Sequence, residues 1–265
     1  MQRKNPINNL FLSIYIRYDM QFILDSDLHY SVREHGQRAM IRPDKKNDVL
    51  KIIRLCNQYS IEVVLTAGDL TNTGLGRHCV LDKFTCCCYP QSKLKHQGDE
   101  VKAYIEDFVE TIEKDSCGIV YSCLGNHDVF TRWPYLYHPM TDFVIGRHGN
   151  EMYDFVKGGV HFICCSVYPD QMIIEWLKLI LKNNIFGKVI FFHYNIQGQW
   201  SDWWSDDEKE IFYNTIKESK IYAICVGHGH SSHVKYWKDI PVIRGAGESV
   251  ALCTIENDEC RIEFY

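Results

Sequence analysis

The segment Ile119-Val120-Tyr121-Ser122-Cys123-Leu124-Gly125-Asn126-His127-Asp128 shows the pattern on which the fold depends. An apolar run typical of a buried strand leads through a glycine into side chains that carry an amide, an imidazole and a carboxylate. Apolar runs also precede four other polar blocks, which are Asp27-Leu28-His29, Gly68-Asp69, His193 and Gly227-His228-Gly229-His230. Because α/β scaffolds gather functional groups at the carboxyl ends of their strands, the pattern predicts that these blocks meet in one cleft.

Strand-like and helix-like segments alternate through most of the chain. The strand-like runs cover residues 21–24, 61–67, 119–124, 160–167, 189–192 and 221–226. Apolar residues at helical spacing predict helices over 44–59, 99–114 and 170–182, and Ser205 with Glu208 forms a capping box for a helix to about residue 219. From residue 232 the runs are short and alternating (233–237, 241–244, 249–255 and 260–265), which is typical of an antiparallel meander.

This order of elements predicts an α/β (α+β) fold, a four-layer αββα sandwich with two mixed β-sheets packed face to face and helices outside. We expect a single domain over residues 20–265. Residues 1–19 are predicted to be a dispensable extension, or alternatively an additional edge strand. Two stretches have no assigned structure, 76–97 with its Cys86-Cys87-Cys88 run and 130–150, and both are candidates for walls of the cleft.

Composition excludes several classes of protein. The chain has 265 residues, 46% hydrophobic and 24% charged, with a net charge of −5, so no electrostatic signal favours nucleic acid or an anionic membrane as a partner. The apolar segment 10–17 is too short for a membrane span, which needs about 20 residues. Without a signal peptide, the 12 cysteines are expected to be reduced thiols in an intracellular, cytoplasmic protein.

The polar blocks contain the donor atoms of a catalytic metal site. Carboxylate, amide and imidazole ligands with no thiolate suit Mn²⁺, Fe or Zn²⁺ better than a closed structural zinc site. Each residue alone has an ordinary explanation, because Asp27 or Asp69 could cap a loop and His193 could be a structural histidine. Five blocks in the same strand-end context make a shared metal centre the better interpretation.

The ordered set D-x-H, G-D, G-N-H-D, H and G-H-x-H resembles the calcineurin-like metallophosphoesterases, over roughly residues 21–245. The resemblance implies two divalent ions (Mn, Fe or Zn) that activate a shared hydroxide for in-line attack on a phosphoester, with His127 assisting the leaving group. It implies a small-molecule phosphoester as substrate. The implied metal ligands are Asp27, His29 and His230 for one ion, Asn126, His193 and His228 for the other, and Asp69 as the bridge.

Departures from the family pattern narrow the range of expected substrates. Protein Ser/Thr phosphatases of this superfamily carry Asp-Arg-Gly after the G-D block and Glu after G-N-H, whereas this chain has Asn72-Thr73-Gly74 and Asp128. The missing arginine removes a bidentate phosphate clamp. The chain therefore resembles the D-x-H branch that includes cyclic-nucleotide phosphodiesterases, with Asn72 and Asp128 as supporting residues.

We accordingly expect a phosphodiesterase. A phosphomonoesterase and a non-catalytic scaffold for a protein partner remain as alternatives, and a nuclease is disfavoured by the acidic balance. Tyr30, Trp133 and Trp203 follow ligand blocks and are candidates for the substrate wall, although ordinary packing also explains such aromatic residues.

Overall fold

The computed structural model describes residues 19–32, 40–41, 43–71, 91–129, 139–182, 185–246 and 249–265. Residues 1–18 of the expected extension, Asn72, Trp133 and the Cys86–Cys88 run lie outside this set. The described strands are β1 (Met20–Asp25), β2 (Ser31–Val32), β3 (Met40–Ile41), β4 (Val63–Thr66), β5 (Ile119–Ser122), β6 (Met152–Lys157), β7 (Val160–Cys165), β8 (Gly187–Phe191), β9 (Ile221–Val226), β10 (His233–Trp237), β11 (Ile240–Arg244), β12 (Ala251–Glu256) and β13 (Glu259–Phe264).

The described helices are α1 (Pro43–Tyr59), α2 (Gln91–Asp115), α3 (Asn126–Val129), α4 (Pro139–His148), α5 (Gln171–Leu181) and α6 (Asp206–Ile216). Helix α6 begins at the predicted capping box. The Ser205 hydroxyl accepts a hydrogen bond from the Glu208 backbone N–H, and the Glu208 carboxylate accepts one from the Ser205 N–H. Helix α2 begins inside the unassigned stretch 76–97, and α4 lies inside the unassigned stretch 130–150.

Eleven of the described strands form two mixed sheets, and β2 and β3 pair in a separate two-stranded sheet. The first has the order β13-β12-β1-β4-β5, and the second has the order β10-β11-β9-β8-β7-β6. Strands β1, β4 and β5 are mutually parallel, as are β7, β8, β9 and β11. All five predicted ligand blocks therefore follow parallel strands, and these strands have their carboxyl ends at one edge of their sheet.

Alternating side chains along the second sheet show how the layers pack. Phe162 and Cys164 of β7 belong to the core shared with the first sheet, where Phe162 meets Phe22 edge to face with ring centroids 5.5 Å apart. Ile163 and Cys165 face the other way, into a second core with helices α5 and α6. Both faces of these strands are buried, which explains their continuous apolar sequence. The two mixed sheets with helices confirm the predicted αββα sandwich.

The expected antiparallel meander is wrong in one respect. The four C-terminal strands exist, but they form two hairpins in different sheets: β10–β11 extends the second sheet and β12–β13 extends the first. Strand β11 pairs with β9 in parallel, and β12 pairs with β1 in antiparallel orientation. Periodicity shows that a strand exists, but the sheet that receives it is decided by long-range packing.

Among the described residues, no helix is long and apolar enough to cross a membrane. The eight described cysteines are free thiols, most of them buried in the two cores.

Candidate active site

The loop after β1 and the loop after β4 run side by side beyond the sheet. The Asp27 N–H donates to the Gly68 carbonyl at 3.0 Å, and the His29 N–H donates to the Asp69 carbonyl at 3.0 Å. These two bonds extend the parallel pairing past the last sheet residues. They bring the D-x-H block against the G-D block.

Asp27, His29 and His230 form the first group of candidate ligands. One possible ligand atom from each residue lies within 4.8 Å of the others. The His230 Nε2 atom is 3.9 Å from Asp27 Oδ1, and the His29 and His230 rings stack with centroids 5.1 Å apart. Asp27 and His29 are buried, whereas the His230 side chain is 58% exposed, so this group opens to solvent on the His230 side.

Asp69, His193 and His228 form the second group, with the same 4.8 Å limit between their ligand atoms. The His193 Nε2 atom lies 2.9 Å from Asn126 Oδ1, 3.1 Å from His228 Nδ1 and 3.3 Å from Asp69 Oδ2. Asn126 thus joins the second group. The structure brings all seven predicted ligands together, and the His228 N–H, which donates to Asp27 Oδ2 at 2.8 Å, links the two groups.

Five of these seven residues have a left-handed backbone. Their φ angles are between 44° and 67°, and the residues are Asp27, His29, Asp69, His228 and His230. A non-glycine residue in such a conformation costs on the order of 1–3 kcal/mol, and such residues cluster at functional sites. Surrounding hydrogen bonds therefore hold these side chains in positions that the chain would not adopt by itself.

The environment of His193 fits a cation. Its Nδ1 atom lies 2.8 Å from the Ala67 carbonyl, which can only accept, so Nδ1 carries the proton and Nε2 presents its lone pair in the neutral ring. Nε2 then faces the Asn126 and Asp69 oxygens, which are also acceptors. Only a proton on Nε2 or a metal ion resolves this convergence of lone pairs.

Unpaired buried atoms point the same way. Asp27 Oδ1, His29 Nδ1 and His228 Nε2 are buried without a hydrogen-bond partner. Such atoms are costly, by about 1–3 kcal/mol each, unless an ion or water satisfies them. All three belong to predicted metal ligands, so the donor set and its burial fit divalent ions.

The pKa shifts of two imidazoles keep these rings in the neutral form that binds metal. Burial lowers the pKa of His29 to about 3 and that of His228 to about 4. Burial also opposes protonation of His193, but the adjacent Asp69 carboxylate outweighs it and raises the pKa of His193 to about 9. A cation between Asp69 and His193 would replace this proton.

His127 lies at the edge of the second group without joining it. Its backbone N–H donates to Asp69 Oδ1 at 2.7 Å, and its Nε2 atom is 3.9 Å from Asp69 Oδ2. The ring meets the His29 ring edge to face at 5.0 Å and is 16% exposed. The imidazole is therefore beside both candidate groups and within reach of solvent.

Asp128 ties two of the ligand loops together. Its carboxylate accepts hydrogen bonds from the backbone N–H groups of Asp69 (2.9 Å) and Gly125 (2.8 Å) and from the Thr71 hydroxyl (3.1 Å). Burial raises the pKa of Asp128 to about 7. Asp128, predicted as a supporting residue, thus connects the Asp69 loop to the Asn126 turn, and no pattern in the sequence indicates its partner Thr71.

Tyr30 and Trp203, the two candidates for the substrate wall among the described residues, differ in whether they line the cleft. Tyr30 does not line the cleft: it is 3% exposed, its hydroxyl donates to Asp107 at 2.8 Å, and its ring packs on Phe108. The prediction for Tyr30 is corrected because the β1 loop turns this side chain into the core beside α2. Trp203 is 41% exposed, and its ring meets His228 edge to face at 4.9 Å.

Trp200 is a further aromatic residue at this position, 46% exposed and with its ring centroid 6.2 Å from that of His228. The loop that carries both indoles is anchored by Trp204, which is 3% exposed and donates its indole N–H to the Asn195 carbonyl at 3.0 Å. One tryptophan of this segment is therefore structural, and two are displayed beside a candidate ligand.

Comparison with known proteins agrees with this geometry. The family model for calcineurin-like phosphoesterases matches residues 20–254, so the chain belongs to this family. It is a metallophosphoesterase, a hydrolase of phosphoester bonds. The family generally binds two divalent metal ions, and the two groups described above are candidates for holding them. No curated protein sequence matches the chain significantly.

Solved structures share the fold at low sequence identity. A dimetal phosphatase from Danio rerio is 11% identical with a TM-score of 0.60, and the match covers 92% of this chain and 98% of that one. A purple acid phosphatase from yellow lupin (Lupinus luteus) seeds is 11% identical with a TM-score of 0.62, over 93% of this chain and 51% of that one. GAP50, the anchor in the inner membrane complex of Plasmodium, is 12% identical with a TM-score of 0.59, and the match covers 93% of this chain and 84% of that one.

Proposed function

We propose that this protein hydrolyses a small-molecule phosphodiester, with two divalent ions (Mn, Fe or Zn) as cofactors. Asp27, His29 and His230 would hold one ion, Asn126, His193 and His228 would hold the other, and Asp69 would be a ligand of both. The observation that carries the proposal is the convergence of these seven side chains from five loops, three of which bring a buried ligand atom without a hydrogen-bond partner.

Bound at this site, two divalent ions supply a water of lowered pKa and positive charge for the phosphoryl oxygens. The chain itself determines where they bind. The Ala67 carbonyl holds the His193 ring with Nε2 directed into the site, and the Ser26 hydroxyl donates to Asp27 Oδ2 at 2.8 Å. Neutral imidazoles and the Asn126 amide add no negative charge, so the site keeps its attraction for a phosphate anion.

His127 is the proposed general acid. Its imidazole lies beside both groups, is held at its backbone by the Asp69 carboxylate and reaches solvent. A group in this position can protonate the departing oxygen of the ester, and imidazole is suited to this near neutral pH.

Two features favour a diester with an aromatic leaving group. The chain has Asn72-Thr73-Gly74 where an arginine clamp for a terminal phosphate stands in the protein phosphatases, which supports assignment to the D-x-H branch. Trp200 and Trp203 present exposed indoles beside His228, and an aromatic group can stack on such a surface. Trp203 is therefore the proposed substrate wall.

The fold by itself does not carry this activity, because GAP50 shares it and is named as an anchor. What favours catalysis over a scaffold role is the complete set of candidate ligands together with His127. We further propose that residues 20–265 act as one domain, since the second core and the C-terminal hairpins complete the two sheets that carry the site.

The test uses the purified full chain with Mn²⁺, Fe²⁺ or Zn²⁺ added after chelation. Bis(p-nitrophenyl) phosphate should be hydrolysed faster than p-nitrophenyl phosphate at equal concentration, and chelator should abolish both reactions. Elemental analysis should find two ions per chain. A faster monoester reaction would identify a phosphomonoesterase, and a chain that binds two ions yet hydrolyses neither ester would identify a scaffold.

A further inference from the structure

Arg244 is a buried cation directly beneath one of the ligand turns. It is the last residue of β11 and pairs in parallel register with Val226, the last residue of β9. The turn that follows β9 carries His228, Gly229 and His230, which we call the GHGH turn (residues 227–230). The Arg244 residue is only 5% exposed, so its guanidinium lies inside the protein behind this turn.

The guanidinium donates hydrogen bonds to Ser231, the residue that follows the turn. Arg244 Nε donates to the Ser231 carbonyl at 2.6 Å, and Nη2 donates to the Ser231 hydroxyl at 2.5 Å. Nη2 also lies 3.0 Å from His233 Nδ1. Arg244 thus holds the residue immediately after His230 by its backbone and by its side chain.

Gly229 packs on the same guanidinium. A Cβ atom at position 229 would lie 1.5 Å from Arg244 Nη1 and 2.1 Å from its Cζ. A side chain at position 229 would therefore have to displace the guanidinium from its hydrogen bonds to Ser231. Gly229 and Arg244 therefore form one structural unit, although 15 positions separate them in the sequence.

The start of the turn is held by other groups. The Gly227 N–H donates to the His193 carbonyl at 2.9 Å, and the His228 N–H donates to Asp27 Oδ2 at 2.8 Å. His228 and His230 both have left-handed backbones, with φ of 67° and 49°, which the turn adopts only when both of its ends are restrained. His230 is 58% exposed, and its ring stacks on that of His29, so packing restrains it less than it restrains the buried ligands.

We propose that Arg244 is a positioning residue that holds the GHGH turn in its left-handed conformation and thereby places His230 against Asp27 and His29. The inference rests on the proposed function, because it takes His230 as a metal ligand. Loss of Arg244 removes two hydrogen bonds from Ser231, while the next residue, Ser232, stays bonded to Ala246 through its hydroxyl. The ion held through His230 is then bound more weakly, while the ion held by Asn126, His193 and His228 is affected less.

The restraint comes from hydrogen-bond geometry and not from charge. A cation next to a dinuclear site repels the metal ions, so its charge alone would weaken binding. Its fork of donors, in contrast, matches two oxygens of one residue. Lysine keeps the positive charge but lacks the planar set of donors that reaches both Ser231 oxygens. Arg244→Lys should therefore lower the metal affinity as much as Arg244→Met does.

The experiment is calorimetric titration of the metal-free full chain with Mn²⁺. The unaltered protein should bind two ions, and Arg244→Met should lose tenfold or more in affinity at one of the two sites. Arg261→Met is the matched control, because Arg261 pairs with Glu256 on an exposed strand and should change nothing. Equal Mn²⁺ affinities for the unaltered chain and Arg244→Met would overturn the positioning role. An Arg244→Lys variant with the Mn²⁺ affinity of the unaltered chain would overturn it as well. No Mn²⁺ binding by the unaltered chain contradicts the proposed function itself.

Gly229→Ala covers the case in which Arg244→Met does not fold, because it keeps the arginine, and unchanged Mn²⁺ binding by Gly229→Ala would overturn the positioning role. Combining it with Arg244→Ala tests whether the two residues act together. As a single substitution, Gly229→Ala should lower the Mn²⁺ affinity of the site that contains His230, because the new methyl group displaces the guanidinium. In an Arg244→Ala background the three atoms that this methyl group would approach most closely are absent, so the further loss from Gly229→Ala should be at least fivefold smaller. Equal losses in both backgrounds would show that the two residues act independently and would refute the inference.

Discussion

Gly125 lies against Asp69 more closely than any other residue type could. A Cβ atom at position 125 would stand 2.2 Å from Asp69 Oδ1 and 2.3 Å from the Asp69 backbone nitrogen. The strand-end glycine of the G-N-H-D block thus allows the proposed bridging carboxylate to reach its position. The two loops are also joined through Asp128, which accepts from the N–H groups of both residues.

Gly125→Ala should therefore displace Asp69 and weaken the binding of both metal ions. We expect a loss of about 1–3 kcal/mol in the free energy of unfolding, typical of overpacking, and at least tenfold in Mn²⁺ affinity. The matched control is Gly146→Ala, because a Cβ at this position of α4 meets nothing within 4 Å. This control should gain about 0.5–1 kcal/mol from helix propensity and bind metal normally. Normal metal binding by Gly125→Ala would contradict the proposed bridge.

His127→Ala should retain both ions and lose about 10²–10⁴ in turnover, the usual range for a general acid. The loss should be larger for a diester with a poor leaving group, such as an alkyl alcohol, than for one with p-nitrophenol, because a good leaving group needs less protonation. Parallel measurements of kcat and metal content check this. Equal losses for both leaving groups would indicate that His127 stabilises charge and does not transfer a proton.

Trp203→Leu should raise KM for a nucleoside diester more than for a dialkyl ester of the same phosphate. Stacking on an aromatic side chain contributes about 1–3 kcal/mol per base, so the expected change in KM is roughly 5- to 150-fold for the nucleoside substrate. Tyr236→Leu is the control, because Tyr236 is 68% exposed on β10. Quenching of intrinsic fluorescence by a nucleoside monophosphate gives a second readout that does not depend on turnover. An equal change in KM for both substrates would exclude the stacking role.

Asp128→Asn should destabilise the metal-free protein by about 1–3 kcal/mol. One carboxylate oxygen accepts from both the Asp69 and Gly125 N–H groups and the other accepts from Thr71, whereas an amide offers only one acceptor oxygen. Urea unfolding measures the change. Asp142→Asn, at an exposed position of α4, should stay within about 0.5 kcal/mol of the unaltered chain. Similar values for the two variants would show that Asp128 does not hold the loops.

We expect the free energy of unfolding to depend on pH through His148, a residue outside the candidate active site. Its ring stacks on Tyr153 at 3.9 Å and on Tyr121 at 5.7 Å, Nε2 is buried without a partner, and burial lowers its pKa to about 4. The unfolded chain takes up this proton below about pH 6.5, so the folded state loses stability as the pH falls from about 6.5 to about 4.

His148→Phe removes this group, so the variant should gain up to about 2 kcal/mol over the unaltered chain at pH 5, relative to their difference at pH 8. Urea unfolding of both proteins at the two pH values gives the comparison. The same difference between the two proteins at pH 5 and pH 8 would refute the buried, neutral state of His148.

Much of the fold follows from local patterns. The strand at 221–226 is observed with the predicted bounds, and the capping box at Ser205 and Glu208 begins its helix as expected. Helix α2 is longer than the predicted 99–114, since its first residues have no apolar period. The split of the C-terminal strands between two sheets was not predicted, because alternation of apolar and polar residues does not specify a partner strand.

The amino-acid sequence by itself determined which side chains can bind metal and that each follows a strand, because ligand chemistry and strand periodicity are local properties. Only the tertiary structure decided that Tyr30 turns into the core, that Thr71 bonds to Asp128, and that Arg244 lies beneath Gly229. These relationships join residues far apart in the chain, and they depend on how the two sheets pack and on which backbone conformations their hydrogen bonds can restrain.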